Sequence, residues 1–213
     1  MAADLTSFAR GLQLDLSAEQ RKQLTDYAAC VWEKKDLLNL TSVANLDEIL
    51  NRHLADGLVA AAKIAHICRA HDIKNPQIAD LGSGCGYIGL TIAIALPFAQ
   101  VTAVESLERR CAFMNWAVWQ SGIKNVKIKK ERVGQNKGNS FDFVTERAMG
   151  QLPDILEICL DQVKPNGYFI AFQGENPQIQ KLPPQAVLRG VESYSLPIND
   201  AKKRHLVIFG KNK

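Results

Sequence analysis

A glycine-rich segment that directly follows a short apolar run constrains the fold of this chain more than any other feature. Residues 78–89 read IADLGSGCGYIG, and the strand-like run QIADL (77–81) leads into Gly82, Gly84 and Gly86. Glycine adopts a positive φ easily and lets a ligand approach the backbone where a Cβ atom would clash. Because a helical pattern follows, the segment predicts a strand–turn–helix unit whose helix start offers free N–H groups to a ligand.

Strand-like and helical runs alternate along the rest of the chain. Strand-like runs occupy 77–81, 101–105, 126–130, 141–145 and 168–172, and helical patterns occupy 88–96, 108–121 and 151–163. This alternation predicts βαβ units in a parallel sheet that is covered on both faces. Two further strand-like runs, 186–196 and 204–210, have no long helix between them and predict an antiparallel pair at the end of the sheet.

The N-terminal part of the chain has a helical pattern instead. Ser17 and Gln20 have the spacing of a capping box, and Asn45 with Glu48 indicates a second helix start. A length of 213 residues suits one α/β core with an appendage. We therefore expect a helical cap over residues 1–72 and an α/β core over residues 73–213.

Charge is distributed unevenly, which the net charge of +4 conceals. Residues 1–56 hold six Lys/Arg and nine Asp/Glu, whereas residues 109–132 hold seven Lys/Arg and one Glu. The segment from 201 onward adds five Lys/Arg and no acid. Two interpretations remain open: a solvated helix face with a frayed tail, or a footprint for a polyanion such as RNA.

Cysteine usage and the N-terminus narrow the class of protein. Five widely spaced cysteines without a C-x-x-C motif argue against a disulfide framework and against a zinc site, so we expect no metal. The N-terminus lacks the layout of a signal peptide, and the longest apolar stretch, 87–99, is too short to span a membrane. A cytoplasmic protein is expected.

The glycine turn leaves two candidate cofactors. Glu105 ends the next strand-like run, where a carboxylate can bind the two hydroxyls of a ribose. The spacing G-x-G-x-x-G over 84–89 also satisfies the fingerprint of dinucleotide-binding proteins. However, Asp80 directly before the turn would repel a pyrophosphate, whereas it suits the cationic methionine part of S-adenosylmethionine. We therefore favour S-adenosylmethionine over NAD.

Further motifs make the chain resemble a known family. With D-L-G-S-G-C-G (80–86), the motifs are Asn39-Leu-Thr, Arg52-His53-x-x-Asp56, Val104-Glu105-Ser106 with Arg109-Arg110, Glu146-Arg147-Ala148 and Lys203-Arg204-His205. Their order resembles the bacterial small-subunit ribosomal RNA guanine-N7 methyltransferases, the glucose-inhibited division protein B family, over nearly the whole chain. The resemblance implies a Rossmann-like class I fold that binds S-adenosylmethionine, with a seven-stranded, mostly parallel sheet whose last strand is antiparallel.

The same resemblance implies an activity and the partners for it. The reaction would be methylation at N7 of a guanine in the decoding-region hairpin of 16S rRNA, guanine 527 in reference numbering. The expected partner is 16S rRNA, within the 30S subunit or an assembly intermediate of it, and the enzyme is expected to be a monomer without a membrane. Because guanine N7 carries a lone pair and no proton, we expect no general base and no Ser/His/Asp or Cys/His relay.

Site residues follow from the resemblance by motif. It implies active-site roles for Asn39, His53 and Arg147. The expected cofactor-binding residues are Asp80, Gly82, Ser83, Gly84, Gly86, Tyr87, Glu105, Arg132, Val133 and Arg147. Phosphate contacts are expected from Arg109, Arg110, Lys203 and Arg204.

Each of the three active-site candidates has a second interpretation. Arg147 would donate to guanine O6 or to phosphate, or it would pair with the neighbouring Glu146. His53 would lie in the active site, or it would be a hydrogen-bonded core histidine. Asn39 would position base or cofactor, or it would be a turn residue at a helix end.

The chain also departs from the usual pattern of the family. The family turn usually reads G-x-G-F-P-G-x-P, whereas this chain has Tyr87 for the aromatic residue and Ile88 and Thr91 for the prolines. A small residue usually precedes the Arg-Ala pair, where this chain has Glu146. Other hypotheses therefore stay open: a methyltransferase of a small molecule or protein, an NAD-dependent oxidoreductase, and a non-catalytic RNA-binding relative.

Overall fold

Seven strands form one mixed sheet in the computed structural model, which describes residues 5–38, 43–135, 138, 140–177, 179, 182–198 and 202–212. The strands are β1 (Gln77–Leu81), β2 (Gln100–Glu105), β3 (Val126–Lys130), β4 (Phe141–Glu146), β5 (Val163–Gln173), β6 (Ala186–Tyr194) and β7 (Arg204–Lys211). Their spatial order is β3-β2-β1-β4-β5-β7-β6. Strands β1 to β5 pair in parallel, and β7 runs antiparallel to both of its neighbours. The predicted seven-stranded sheet with an antiparallel last strand is confirmed.

Helices connect the parallel strands and form a layer at the N-terminus. They are α1 (Leu5–Gly11), α2 (Ala18–Leu38), α3 (Leu46–Glu48), α4 (Ala55–His71), α5 (Gly89–Ala95), α6 (Glu108–Ser121) and α7 (Leu152–Gln162). Both predicted helix starts in the cap are present. The Ser17 N–H donates to Gln20 Oε1 at 2.8 Å and the Gln20 N–H to Ser17 Oγ at 3.2 Å, while Asn45 Oδ1 accepts from the Glu48 N–H at 2.8 Å.

A π-helical segment (Ile49–Leu54) joins α3 to α4. The apolar period of the sequence predicts an ordinary helix here, so this segment is a finding of the structure alone. π-Helical turns carry an i→i+5 hydrogen bond and occur frequently at functional sites. This one carries His53.

The cap and the sheet share one apolar core. Leu24 and Ile64 of the cap belong to the same buried cluster as Phe113 of α6 and Ile208 of β7. Tyr27 of α2 is fully buried, and its hydroxyl donates to the carbonyl oxygen of Cys85 in the glycine turn at 2.9 Å. The cap therefore supports the turn directly, and the boundary between residues 72 and 73 stays a prediction.

Two further properties bear on the class of protein. All five cysteines are buried as free thiols. Among the described residues, no helix has both the length and the apolar character that crossing a membrane requires. The same part of the chain brings no three or more His, Cys, Asp or Glu side chains together in a way that could hold a metal ion.

Candidate active site

The glycine turn between β1 and α5 has the backbone conformation that its sequence predicts. Gly82 and Gly84 both have φ +64°, and Gly86 has φ +95°. A Cβ atom at Gly86 would lie 2.8 Å from Leu90 Cδ1, so this position is closed by packing. At Gly84, by contrast, a Cβ atom would meet nothing within 4 Å in the described part of the chain. Gly84 thus borders open space, and Gly86 lies behind the turn.

Asp80 at the end of β1 holds the turn together. Its Oδ1 accepts from Thr145 Oγ1 at 2.9 Å, and its Oδ2 accepts from Ser83 Oγ and from the Gly89 N–H, the latter at 2.9 Å. The side chain is 2% exposed, and burial raises its pKa against the opposing effect of these hydrogen bonds. Because Gly89 donates to Asp80, the first N–H of α5 is not available to a ligand, contrary to the expectation from the sequence.

Glu105 at the end of β2 faces the turn from the other side. Its Oε2 accepts from the Gly84 N–H at 3.0 Å and lies 3.4 Å from Arg110 Nη1. Its Oε1 accepts from the N–H groups of Ser106 and Leu107 at 2.7 and 2.9 Å. Burial acts to raise the pKa of Glu105, but these N–H donors and the Arg110 charge outweigh it and lower the pKa. An ionised carboxylate therefore lies fixed beside the open space at Gly84.

A cleft with two lobes lies along the turn, and Gly82 borders both. The first lobe, of about 230 Å³, is lined by Asp80, Gly82, Ser83, Gly84, Cys85, Tyr87, Ile88, Arg110, Arg147 and Ala148. The second lobe, of about 410 Å³, is lined by Gly82, Val104, Glu105, Ser106, Glu131, Arg132, Val133, Met149, Ile155 and Ile158. The structure thus brings together every residue expected to bind a cofactor except Gly86, and it places Arg132 and Val133 in the second lobe.

His53 of the π-helical segment packs against the wall of the first lobe. Its ring stacks on that of Tyr87, with the ring centroids 4.3 Å apart and the planes 9° from parallel. The guanidinium carbon of Arg147 lies 5.4 Å from the centroid of the same Tyr87 ring. Burial and then the charges of Arg147, Arg52 and Arg204 lower the pKa of His53 to about 3. The imidazole is therefore neutral at physiological pH.

Arg147 pairs with Asp56 rather than with the adjacent Glu146. Arg147 Nη1 donates to Asp56 Oδ2 at 2.8 Å, and Arg204 Nη1 lies 3.6 Å from the same oxygen. Asp56 Oδ1 accepts from the Tyr194 hydroxyl at 2.7 Å. Asp56 is 1% exposed. Asp56 ends the R-H-x-x-D motif, but the sequence predicts no role for it, and no sequence signal points to Tyr194.

Glu146 at the end of β4 is a second buried acid near the turn. It is 1% exposed, and its Oε1 accepts from the Met149 N–H at 2.6 Å. Its Oε2 has no hydrogen-bond partner within the part of the chain that the structure describes. Burial raises the pKa of Glu146 to about 7, and the charge of Asp80 acts in the same direction. Glu146 therefore titrates near neutral pH.

The expected RNA-binding residues divide into two groups. Arg109 and Lys203 are exposed at the start of α6 and just before β7. Arg110 and Arg204 are partly buried, and each faces a carboxylate, Glu105 and Asp56 respectively. Asn39, which was expected in the active site, lies outside the described residues.

Comparison with known proteins assigns the chain to a family. The family model described as rRNA small subunit methyltransferase G matches residues 20–207. The ribosomal RNA small subunit methyltransferase G of Alteromonas mediterranea is 33% identical over 203 residues, which cover 94% of this chain and 92% of the relative. Its counterpart in Nitrosomonas eutropha is 34% identical over 206 residues, which cover 93% and 91%. Both relatives match along nearly their full length.

A solved structure supports the fold. A putative O-methyltransferase from Klebsiella pneumoniae aligns with a TM-score of 0.55 at 14% identity, over 88% of this chain and 90% of that one. At this identity the likeness concerns the fold alone, which is that of a Rossmann-like methyltransferase. Since the relatives are methyltransferases, the alternative of an NAD-dependent oxidoreductase is wrong.

The cofactor of such a methyltransferase is S-adenosylmethionine, and the cleft fits it. A ligand can approach the backbone at Gly84 because no side chain of the described residues fills that space, and the ionised Glu105 lies beside it. The second lobe offers the apolar side chains that a planar adenine requires, among them Val133 and Ile158. With the motif order, the sheet topology and the match over residues 20–207 in agreement, the chain belongs to the rRNA small subunit methyltransferase G family.

Proposed function

We propose that this protein transfers the methyl group of S-adenosylmethionine to N7 of a guanine in 16S rRNA, guanine 527 of the decoding-region hairpin. Membership in the family supports an rRNA substrate. The observation that carries the assignment of the site is the position of Arg147, whose guanidinium borders the first lobe of the cleft. A guanidinium there can donate to O6 of a guanine that enters the lobe.

The two lobes of the cleft would bind different parts of the cofactor. Glu105 would accept from the ribose hydroxyls at the junction of the lobes, and Val133 with Arg132 would contact the adenine in the second lobe. Asp80 and Gly84 border the first lobe, which would hold the cationic methionine part. The target guanine would enter on the side of Tyr87 and Arg147.

Methyl transfer to guanine N7 does not require the protein to move a proton. When it is bound, S-adenosylmethionine supplies an electrophilic methyl group on a sulfonium. Guanine N7 would accept this methyl group through its lone pair as the methyl–sulfur bond breaks, and the positive charge would pass to the purine ring. No proton leaves N7, so a general base is not required, and alignment at near-attack distance is the main task.

The charges around the first lobe suit a reaction that ends with a cationic base. His53 is neutral at physiological pH, so it adds no positive charge beside the purine. Arg147 is paired with Asp56, which offsets its charge while keeping the guanidinium at the wall. A guanidinium paired with a carboxylate opposes the developing positive charge less than an unpaired guanidinium would.

The competing hypothesis, a methyltransferase of a small molecule or a protein, makes a different prediction about substrates. Labelled S-adenosylmethionine is incubated with the protein and with 30S subunits, free 16S rRNA or bulk protein. We expect label in the RNA, and we expect RNA binding to weaken steeply with salt because phosphate contacts release counterions. Label in protein alone, or binding without salt dependence, would contradict an rRNA substrate. An rRNA substrate also implies an enzyme that works in the cytoplasm.

A further inference from the structure

One buried carboxylate joins four separate segments at the edge of the active site. Asp56 lies in the first turn of α4, Arg147 follows β4, Tyr194 ends β6 and Arg204 begins β7. The carboxylate has an ion pair of 2.8 Å to Arg147, an ion pair of 3.6 Å to Arg204 and a hydrogen bond of 2.7 Å from Tyr194. The cap thereby meets two strands of the sheet and the cleft wall at a single side chain.

Stability alone does not account for this arrangement. A buried ion pair is often no more stabilising than apolar residues of similar volume, because both charges lose their hydration. Here one carboxylate faces two guanidinium groups, whose side chains keep 22% and 23% exposure. A pair that served folding alone would need only one arginine.

The pairing does account for the orientation of Arg147. An arginine side chain has many rotamers, and all but one must be disfavoured if the guanidinium is to meet a substrate in one geometry. Asp56 holds one end of the guanidinium, and the Tyr87 ring lies against it at 5.4 Å. Small errors in such positioning reduce the rate of a reaction strongly, because reacting atoms must be aligned.

We propose that Asp56 is a positioning residue, which fixes Arg147 at the wall of the cleft and at the same time withholds the charges of Arg147 and Arg204 from RNA. The inference rests on the proposed function, since it concerns the alignment of an RNA base for methyl transfer. The Asp56 carboxylate would thus have opposite effects on turnover and on RNA binding. Turnover depends on the carboxylate, whereas non-specific attraction of RNA is reduced by it.

The test uses Asp56→Asn, which keeps the shape and removes the charge. We expect kcat for methylation of 30S subunits to fall at least ten-fold with KM no higher than that of the unsubstituted protein. We also expect affinity for a short single-stranded RNA to be equal or greater. The plot of log affinity against log salt should be steeper by about 1.4, because two cations become available to phosphates and each contributes about 0.7 on a single strand. A merely structural role would lower kcat and RNA affinity together.

Glu192→Gln provides the matched control. Glu192 lies on β6, two residues before Tyr194, and pairs with Lys63 outside the network. Its substitution removes the same charge from the strand that carries Tyr194, and we expect kcat to stay within two-fold. Tyr194→Phe, which removes one donor to Asp56 and keeps the ring, is expected to lower kcat less than Asp56→Asn does.

A second comparison covers the case in which Asp56→Asn does not fold, which thermal unfolding would show. Arg204→Gln is combined with Asp56→Asn, so that only one buried guanidinium remains, and is compared with Arg204→Gln alone. We expect the double variant to have the lower kcat by at least ten-fold. Equal kcat in these two proteins would overturn the inference while leaving the proposed function intact.

The RNA-binding arm separates failure of the inference from failure of the proposed function. If the unsubstituted protein methylates no RNA, the proposed function fails, and the salt dependence of RNA binding still decides the role of Asp56. A slope that Asp56→Asn leaves unchanged or makes shallower would overturn the inference in either case. A steeper slope together with the loss of kcat would support both.

Discussion

The imidazole of His53 lies flat on the phenol ring of Tyr87, with 4.3 Å between the ring centroids. His53 comes from the π-helical segment of the cap, and Tyr87 comes from the glycine turn of the core. The stack therefore joins the cap to the wall of the first lobe.

Burial of His53 near three arginines predicts a stability that depends on pH. Its pKa is about 3 in the folded protein and about 6.5 when unfolded, so between these values the unfolded chain binds more protons. Stability is therefore lost as the pH falls through 6.5 towards 3. Between pH 6.5 and 5 we expect a loss on the order of 1–2 kcal/mol from this residue.

Urea unfolding at pH 7.5 and pH 5 of the unsubstituted protein and of His53→Phe isolates this contribution. The phenylalanine preserves the stack on Tyr87 and cannot titrate, so its stability is expected to change less between the two pH values. Parallel pH profiles in the two proteins would contradict a neutral, buried His53.

Glu146 predicts the opposite dependence on pH. Its pKa is about 7 in the folded protein, which is above its ordinary value, so the folded state binds more protons between about 4.5 and 7. Stability contributed by the protonated form is present below this window and is lost as the pH rises through 7. Glu146→Gln keeps the acceptor for Met149 and removes the ionisation.

We expect Glu146→Gln to be more stable than the unsubstituted protein at pH 8, by on the order of 2–3 kcal/mol, and nearly equal to it at pH 5. Urea unfolding at the two pH values measures this difference. Glu157→Gln, on the exposed face of α7, is the control and should change little. A Glu146→Gln protein that is less stable at pH 8 would show that the carboxylate is ionised and needed.

Replacing Gly84 or Gly86 by alanine should impair the protein in two different ways. Both have positive φ, which costs an alanine about 1–2 kcal/mol. In Gly86→Ala the new methyl also meets buried Leu90 at 2.8 Å, so we expect a further loss on the order of 1–3 kcal/mol of stability. In Gly84→Ala the methyl enters the open space of the cleft, so cofactor affinity should fall about ten-fold or more.

Thermal unfolding and calorimetric titration with S-adenosylmethionine separate the two glycine variants. Gly86→Ala is expected to show the larger drop in Tm, and Gly84→Ala the larger drop in affinity relative to its change in Tm. The reverse order would place the cofactor on the other side of the turn.

Glu105 and Lys203 should separate cofactor binding from RNA binding. Glu105→Ala removes the carboxylate that fixes Gly84 and borders the second lobe, so its affinity for S-adenosylmethionine should fall strongly. Lys203→Ala removes an exposed charge beside β7, and the salt slope of RNA binding should become shallower by about one unit. Calorimetry and RNA titration at several salt concentrations measure the two effects, and equal loss of both affinities in both variants would contradict this division.

Local patterns in the sequence predicted the elements of the core but not the contacts between distant elements. The strand runs, the glycine turn, the capping box at Ser17 and the helix start at Asn45 depend on neighbours within a few residues, and the structure has all of them. Asp80 was assigned to the cofactor from its place before the turn, yet its oxygens also accept from Ser83, Gly89 and Thr145. Thr145 becomes its neighbour only when β4 pairs with β1.

The Asp56 network could not be predicted for the same reason. Its members lie 91 and 138 residues apart from Asp56 in the chain, at Arg147 and Tyr194, and they meet only through the order of strands in the sheet. Of the two interpretations of Arg147 that the sequence allows, the ion pair with its neighbour Glu146 is therefore wrong. The sequence likewise predicts Arg204 as a phosphate contact, and only the fold shows that its Nη1 lies 3.6 Å from Asp56 Oδ2.

Methylation of guanine N7 is tested most directly on the RNA itself. Subunits lacking the modification are incubated with the protein and S-adenosylmethionine, and 7-methylguanine is mapped by borohydride reduction and aniline cleavage of the 16S rRNA. We expect one new cleavage, at guanine 527, that depends on both the protein and the cofactor. Absence of cleavage at this guanine, with cofactor binding intact, would contradict the proposed reaction.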